Sequence, residues 1–267
     1  MKNFLIILFC LSVLVTSCSK KVAGAASAPT KTSSTSTQNI PASSAAKKDE
    51  SDSKAIEVLK NYIDAIGGKE KLTGVKSMMT KTSATTAMGD LMITQYVKDG
   101  KSAMKTEMAG STVMEQVFDG STLMVSGMGG KQSITDPAAI KGARKQARMF
   151  DELDQLTSNN SLKKYLGIED LDGKKVHKIT ITDADNNITT QYFDATSNFL
   201  VRTIASTEAM GQKSTQTMDM SDYRDVNGVK FPHSIKVSGG AMPFALDMKI
   251  VALMVNSDLP DQLFKIN

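Results

Sequence analysis

The sequence predicts a mainly β domain with helices, an antiparallel meander that one helix precedes and one helical insertion interrupts. Turn dipeptides recur along it. Asp99-Gly100, Ala109-Gly110 and Asp119-Gly120 are separated by runs of 8 residues, and Asn227-Gly228 divides a later pair of runs. Such dipeptides supply the left-handed backbone that tight hairpins need. Between the turns, apolar and polar side chains alternate, as in a sheet with one covered face. Two stretches, 54–66 and 136–156, carry apolar residues at helical spacing instead.

The chain opens with MKNFLIILFCLSVLVTSC: a basic Lys2, an apolar run from Phe4 to Val15, and small residues before Cys18. The run is shorter than the roughly 20 apolar residues that a spanning helix takes, and the pattern is that of a secretory signal. LVTSC resembles a bacterial lipobox, which implies cleavage ahead of Cys18 and acylation of that cysteine by palmitate-like chains. Residues 1–17 are then the signal peptide. Cys10 leaves with it, so the mature chain holds no free thiol and no disulfide, in a compartment that permits one. Several acyl chains on one cysteine hold firmly, at about 0.8 kcal/mol per buried methylene. Residues 18–53 follow as the lipidated cysteine and a Ser/Thr/Ala-rich tether, whose only sizeable apolar side chains are Val22 and Ile40. Nothing there offsets the entropy of ordering, so a disordered spacer is expected. As a flexible coil it reaches about 30–35 Å from the membrane.

Residues 54–267 fit one domain with a substantial core. Ile56, Leu59, Ile63 and Ile66 recur at helical spacing, and Gly67-Gly68 end that helix. About ten strands follow. In KSAMKTEM, Ser102, Met104, Thr106 and Met108 take one face, while Lys101, Lys105 and Glu107 take the other. One face is expected to be covered and the other wet. In the last strand Phe244, Leu246, Met248 and Ile250 alternate with Asp247 and Lys249.

The insertion, Asp136 to Leu156, starts on an Asp-Pro helix N-terminus. Gly142 interrupts its periodicity, a weak point worth roughly 1 kcal/mol of helix propensity. Met149, Leu153 and Leu156 form an apolar stripe that suits a movable lid on the sheet. Lys141, Arg144, Lys145 and Arg148 form a basic stripe at i, i+3, i+4 and i+7. It faces solvent or, at about 1 kcal/mol per cation, anionic headgroups.

Net charge is +4, or +3 once Lys2 leaves with the signal, too even a balance to point to nucleic acid. His177 and His233 are the only histidines, and neither has a His, Cys or carboxylate at metal-ligand spacing. AIGGKEKL segments can accompany zinc peptidases, but the helix motif of two histidines and a glutamate is absent. There is no Gly-x-Ser-x-Gly elbow. GMGGKQS at 127–133 lacks the spacing of a phosphate loop and reads as a hairpin turn. A protein without catalysis, cofactor or metal is expected.

The segments YIDAIGGKEKLTGVKSM, QYFDATSNFLVR, DYRDVNGVKFPHSI and VNSDLPDQLFKIN, in that order, resemble the outer-membrane lipoprotein-sorting family (LolA/LolB-like). That family includes a soluble periplasmic lipoprotein carrier and its lipid-anchored receptor partner. The likeness covers residues 54–267 and rests on phrasing and element order, not on a catalytic motif. It implies an unclosed antiparallel β-barrel, a half-barrel with helices covering the concave face and acyl chains bound inside. It also implies an outer-membrane lipoprotein facing the periplasm. No arginine here is placed as the counterpart of the soluble carrier's lid lock, and the lipobox fits the anchored member.

The residue chemistry agrees with a soft interior. Seventeen methionines and no tryptophan make an apolar inventory that can repack around partners of variable shape. Alternation turns Met104, Met108, Met114, Phe118, Met124, Met218, Met220, Phe244, Leu246, Met248 and Ile250 inward, as candidates to line a lipid cavity. Two readings stay open. One is an anchored monomer that binds acyl lipid or the acyl chains of lipoproteins. The other is a structural or interaction lipoprotein whose half-barrel has a filled interior. An empty apolar volume inside favours the first.

Overall fold

A computed structural model describes residues 51–86, 89–158, 160–209, 212–240 and 245–266. The signal peptide, Cys18, the tether up to residue 50 and Phe244 lie outside the described residues.

Helix α1, Ser53–Ala65, buries Ala55, Val58, Leu59, Tyr62 and Ile63, and Ile66 follows on the same face. Ile56, expected on that stripe, is 37% exposed. At 100° per residue it falls at the edge of an arc centred on Ala55, Leu59, Tyr62 and Ile66. Gly67 (φ 137°) and Gly68 (φ 82°) end α1. They also open a second helix, α2 (Gly68–Thr73), which the Gly-Gly stop signal hid.

The first meander comprises β1 (Ser77–Thr86), β2 (Gly89–Lys98), β3 (Lys101–Met108), β4 (Ser111–Phe118), β5 (Leu123–Gly127) and β6 (Gly130–Ile134). Helices α3 (Pro137–Gln146) and α4 (Asp151–Thr157) follow. The second meander is β7 (Leu162–Leu171), β8 (Lys174–Thr182), β9 (Ile188–Asp194), β10 (Leu200–Ala209), β11 (Gln212–Val226), β12 (Val229–Gly239) and β13 (Leu246–Val255). All thirteen strands form one sheet in the order β6-β5-β4-β3-β2-β1-β13-β12-β11-β10-β9-β8-β7. Each neighbouring pair is antiparallel. The edges β6 and β7 do not pair, so the sheet is an open half-barrel.

The count is thirteen rather than ten because β1, β6 and β7 lack a clear apolar alternation. The inward side of β1 carries Thr80 and Thr82 between Met78 and Ala84. Strand β6 is exposed along most of its length. Strand β7 slips register at Gly167 (φ 108°), which leaves Leu166 and Ile168 exposed. The turns behave as their residues demand: Asn227 and Gly228 take φ 55° and 82°, the left-handed pair of a two-residue hairpin. Gly127 pairs with Gly130 in the hairpin that GMGGKQS forms.

Asp136 caps α3, its Oδ1 accepting the Ala139 N–H at 2.9 Å. Gly142 does not interrupt this helix. The break comes at Ala147–Phe150, where Phe150 is extended (φ −139°, ψ 91°) and separates α3 from α4. Both helices lie over the inner face of the sheet. Ala139, Ala143 and Ala147 seat α3 on Phe118 and Leu123, while α1 packs on Ile179, Phe193, Leu200 and Phe231 with Leu153 and Leu156 of α4 beside it.

The outer face is not wholly wet, contrary to the expectation from β3. Leu259 and Phe264, the latter in a 3-10 helix at Asp261–Phe264, bury Ala103 with Met79, Tyr96 and Val117 around it. Lys98 Nζ holds this segment by donating to Leu259 O and Asp261 Oδ1, each at 3.0 Å. At the β7 edge, Asp52 N donates to Lys163 O (2.8 Å) and Asp52 Oδ2 accepts from Tyr165 N (2.9 Å). The chain is therefore stitched to an edge strand just ahead of α1, which satisfies edge groups that would otherwise be open.

Candidate functional site

Pairing registers place two rows of side chains across the inner face. One runs Leu253, Thr80, Gln95, Met104, Gln116, Val125. The next runs Ile250, Thr82, Ile93, Thr106, Met114. Met220, Ile235 and Met248 extend the apolar surface on β11 to β13. Tyr62 and Ile66 from α1, with Gln146, Met149, Phe150 and Glu152 from α3, α4 and the break between them, form the roof. These groups enclose a cavity of about 370 Å³, within the range of small-molecule sites. Five of its 21 lining residues are methionines.

Of the candidate lining residues, Met104, Met220, Met248 and Ile250 line the cavity. Leu246, Met108 and Met218 pack instead with Ala84, Leu91 and Val237. Phe118 is fully buried beneath α3, and Met114 sits inward opposite Thr106 without reaching the cavity. Met124 is a correction. The Asp119–Thr122 turn sets Leu123 opposite Phe118, so Met124 falls opposite Val117 on the outer row Met79, Tyr96, Ala103, Val117. Met149 lines the cavity as a lid residue, whereas Leu153 and Leu156 pack into the α1 core. The lining threonines and glutamines escaped the sequence reading, which searched for apolar alternation.

Lys141, Arg144, Lys145 and Arg148 are all exposed on α3 and just after it. Lys141 pairs with Asp185. Lys145 pairs with Asp151 (3.4 Å) and Arg148 with Asp154 (2.8 Å), across the break between α3 and α4. Exposed pairs of this kind contribute little to stability.

Glu152 is the one acidic group lining the cavity. Burial raises its carboxyl pKa, Asp151 adds to the rise, and its own backbone N–H opposes it. Burial, and then the charge of Glu152, hold Tyr62 well above the ordinary tyrosine value. Burial likewise raises Tyr223, whose hydroxyl donates to Leu200 O at 2.8 Å. Lys230 stands at the rim with its Nζ 5.5 Å from the Phe199 ring centre. The histidines lie apart from the cavity lining: His177 Nδ1 is 3.0 Å from Tyr165 Oη, and His233 Nδ1 is 2.9 Å from Phe231 O. Among the described residues no three His, Cys, Asp or Glu side chains group as a metal site.

No protein-family model matches the sequence, and no curated protein matches it. Solved structures do match. A LolA superfamily protein from Nitrosomonas europaea superposes with a TM-score of 0.54 at 14% identity, covering 79% of this chain and 97% of the other. A DUF1329 family protein from Desulfovibrio piger gives 0.57 at 10% identity, covering 79% and 96%. A domain assigned to outer membrane lipoprotein sorting, from Vibrio parahaemolyticus, gives 0.54 at 11% identity, covering 79% and 96%. At such identities the likeness is one of architecture: this chain has the fold of the LolA superfamily and of outer membrane lipoprotein-sorting domains.

Proposed function

We propose that this protein is a membrane-anchored binding protein of the bacterial cell envelope that holds acyl chains, of lipid or of lipoproteins, in the cavity of its half-barrel. The observation that carries this reading is the methionine-rich volume of about 370 Å³ between the sheet and the helices. An open apolar volume of this size is what an acyl-binding half-barrel needs and a fully packed scaffold lacks. Binding rather than catalysis is proposed, since most of the lining is apolar and Glu152 and Lys230 are its only charged side chains. A role in outer-membrane lipoprotein sorting, as a monomer facing the periplasm, is proposed from the shared fold. The anchor is proposed at Cys18, after removal of residues 1–17, with the tether setting the distance to the membrane.

The test is direct. The purified protein should carry lipid detectable by mass spectrometry and bind acyl probes. Met104→Asp and Met248→Asp should each weaken binding, because a carboxylate in an apolar cavity costs several kcal/mol unless it protonates or finds a partner. Thermal melts show whether the variants stay folded. A folded wild-type protein without lipid and without probe binding would overturn the reading.

A further inference from the structure

The cavity has two chemically different flanks. On one, Met220, Ile235, Met248, Ile250 and Leu253 are wholly apolar. On the other, strands β1 to β3 and the end of α3 set Thr80, Thr82, Gln95, Thr106 and Gln146 among Met78, Ile93 and Met104. Thr106 is fully buried, and its Oγ1 has no hydrogen-bond partner among the described residues. A valine would fill the same volume without stranding a hydroxyl, and orphan buried polar atoms are rare enough in native proteins to need a reason. Gln146 adds donors. Its Oε1 accepts from Gln116 Nε2 at 3.3 Å, so the acceptor is engaged and the amide N–H groups of Gln146 remain to donate. No lysine or arginine lines this flank, because Lys230, the lining cation, belongs to β12 on the other side.

From this geometry we infer that the ligand carries a neutral acyl carbonyl, an ester or amide, that accepts hydrogen bonds from Thr106 and Gln146 while its chain lies along the apolar flank of β11 to β13. The inference rests on the acyl-binding reading and deepens it. A bare hydrocarbon would leave the donors unpaired. A carboxylate or phosphate would lack a cation beside it. A carbonyl one bond from a long chain satisfies both flanks at once.

The experiment compares a glycerolipid with two palmitoyl esters against its di-O-hexadecyl ether counterpart, which keeps the chains and lacks the carbonyls. An N-palmitoyl peptide, whose carbonyl is an amide, separates a lipoprotein source from a glycerolipid source. The wild-type protein should bind the ester, the peptide or both about 3- to 10-fold tighter than the ether, the effect of one or two neutral hydrogen bonds. Thr106→Val with Gln146→Leu should abolish that preference, bringing ester, peptide and ether to equal affinity on the same folded variant; the lost Gln116–Gln146 hydrogen bond should lower its melt modestly. Equal binding of ester, peptide and ether by the wild type would overturn the inference while leaving the acyl-binding reading intact. So would a preference that survives the double substitution. Failure of all probes to bind would instead overturn the acyl-binding reading, and this inference with it.

Discussion

Gly67 is where a single residue decides how α1 meets the sheet. A β-carbon there would lie 2.7 Å from Gly228 O, on the Asn227-Gly228 turn, and Lys230 N donates to Ile66 O (2.8 Å) in the same contact. Gly68 also has positive φ but open space around it. Gly67→Ala should therefore destabilise clearly more than Gly68→Ala in denaturant unfolding; equal losses would mean that backbone conformation alone sets the cost. Glu152 makes the second prediction. Burial raises its folded pKa above the unfolded value, so the folded state retains a proton that the unfolded chain releases. The stability this contributes is complete below the unfolded pKa and is lost as pH rises through the folded one. Glu152→Gln should flatten that stretch of the pH–stability curve and exceed the wild type in stability above it. An unchanged slope would mean the folded carboxyl is solvated. At this scale the sequence was readable where alternation holds, as at Met104, Met248 and Ile250. It misled at Met124, where a four-residue turn flips the parity, and at Ile56, on the margin of its helical arc.

Helices α3 and α4 were legible as helical, but their hinge was not. Gly142 carries the weaker propensity, yet Ala139, Ala143 and Ala147 seat that stretch on Phe118 and Leu123, and tertiary packing outweighs roughly 1 kcal/mol of propensity. A stripe of alanines is a faint signal beside leucines, although it is what lets a helix approach a sheet closely. The break falls instead at 147–150, beside the cavity-lining Met149 and Phe150. Hydrogen exchange should show residues 137–157 opening before β13, with ligand slowing the exchange most around the break. Amides there as protected as those of 246–255, and indifferent to acyl ligand, would mark the segment as fixed core. Of the strands missed from the sequence, β1 turns threonines toward the cavity, so the polarity that obscured it belongs to the site.

For the whole molecule, topology requires a long connection between the two edges of the sheet. Strands β1 and β13 pair in the middle of the sheet, which puts β6 and β7 at its opposite edges. The chain between those edges, residues 135–161, has to cross from one to the other, and crossing the inner face roofs the cavity. The meander and the two helical segments could be read from turn chemistry and periodicity, whereas the pairing of first and last strands could not, because pairing partners far apart in sequence leave no local trace. On the proposed reading, an anchor at Cys18 would hold this half-barrel at a membrane, with the cavity as its acyl-binding site. The measurement that bears most directly on acyl binding is photolabelling with a diazirine-bearing fatty acyl probe, followed by peptide mapping. Saturable labels should fall on peptides containing Met104, Met149, Met220 and Met248. Labels confined to outer-face residues such as Val251 and Met254, or none that an unlabelled acyl competitor displaces, would contradict binding inside the half-barrel.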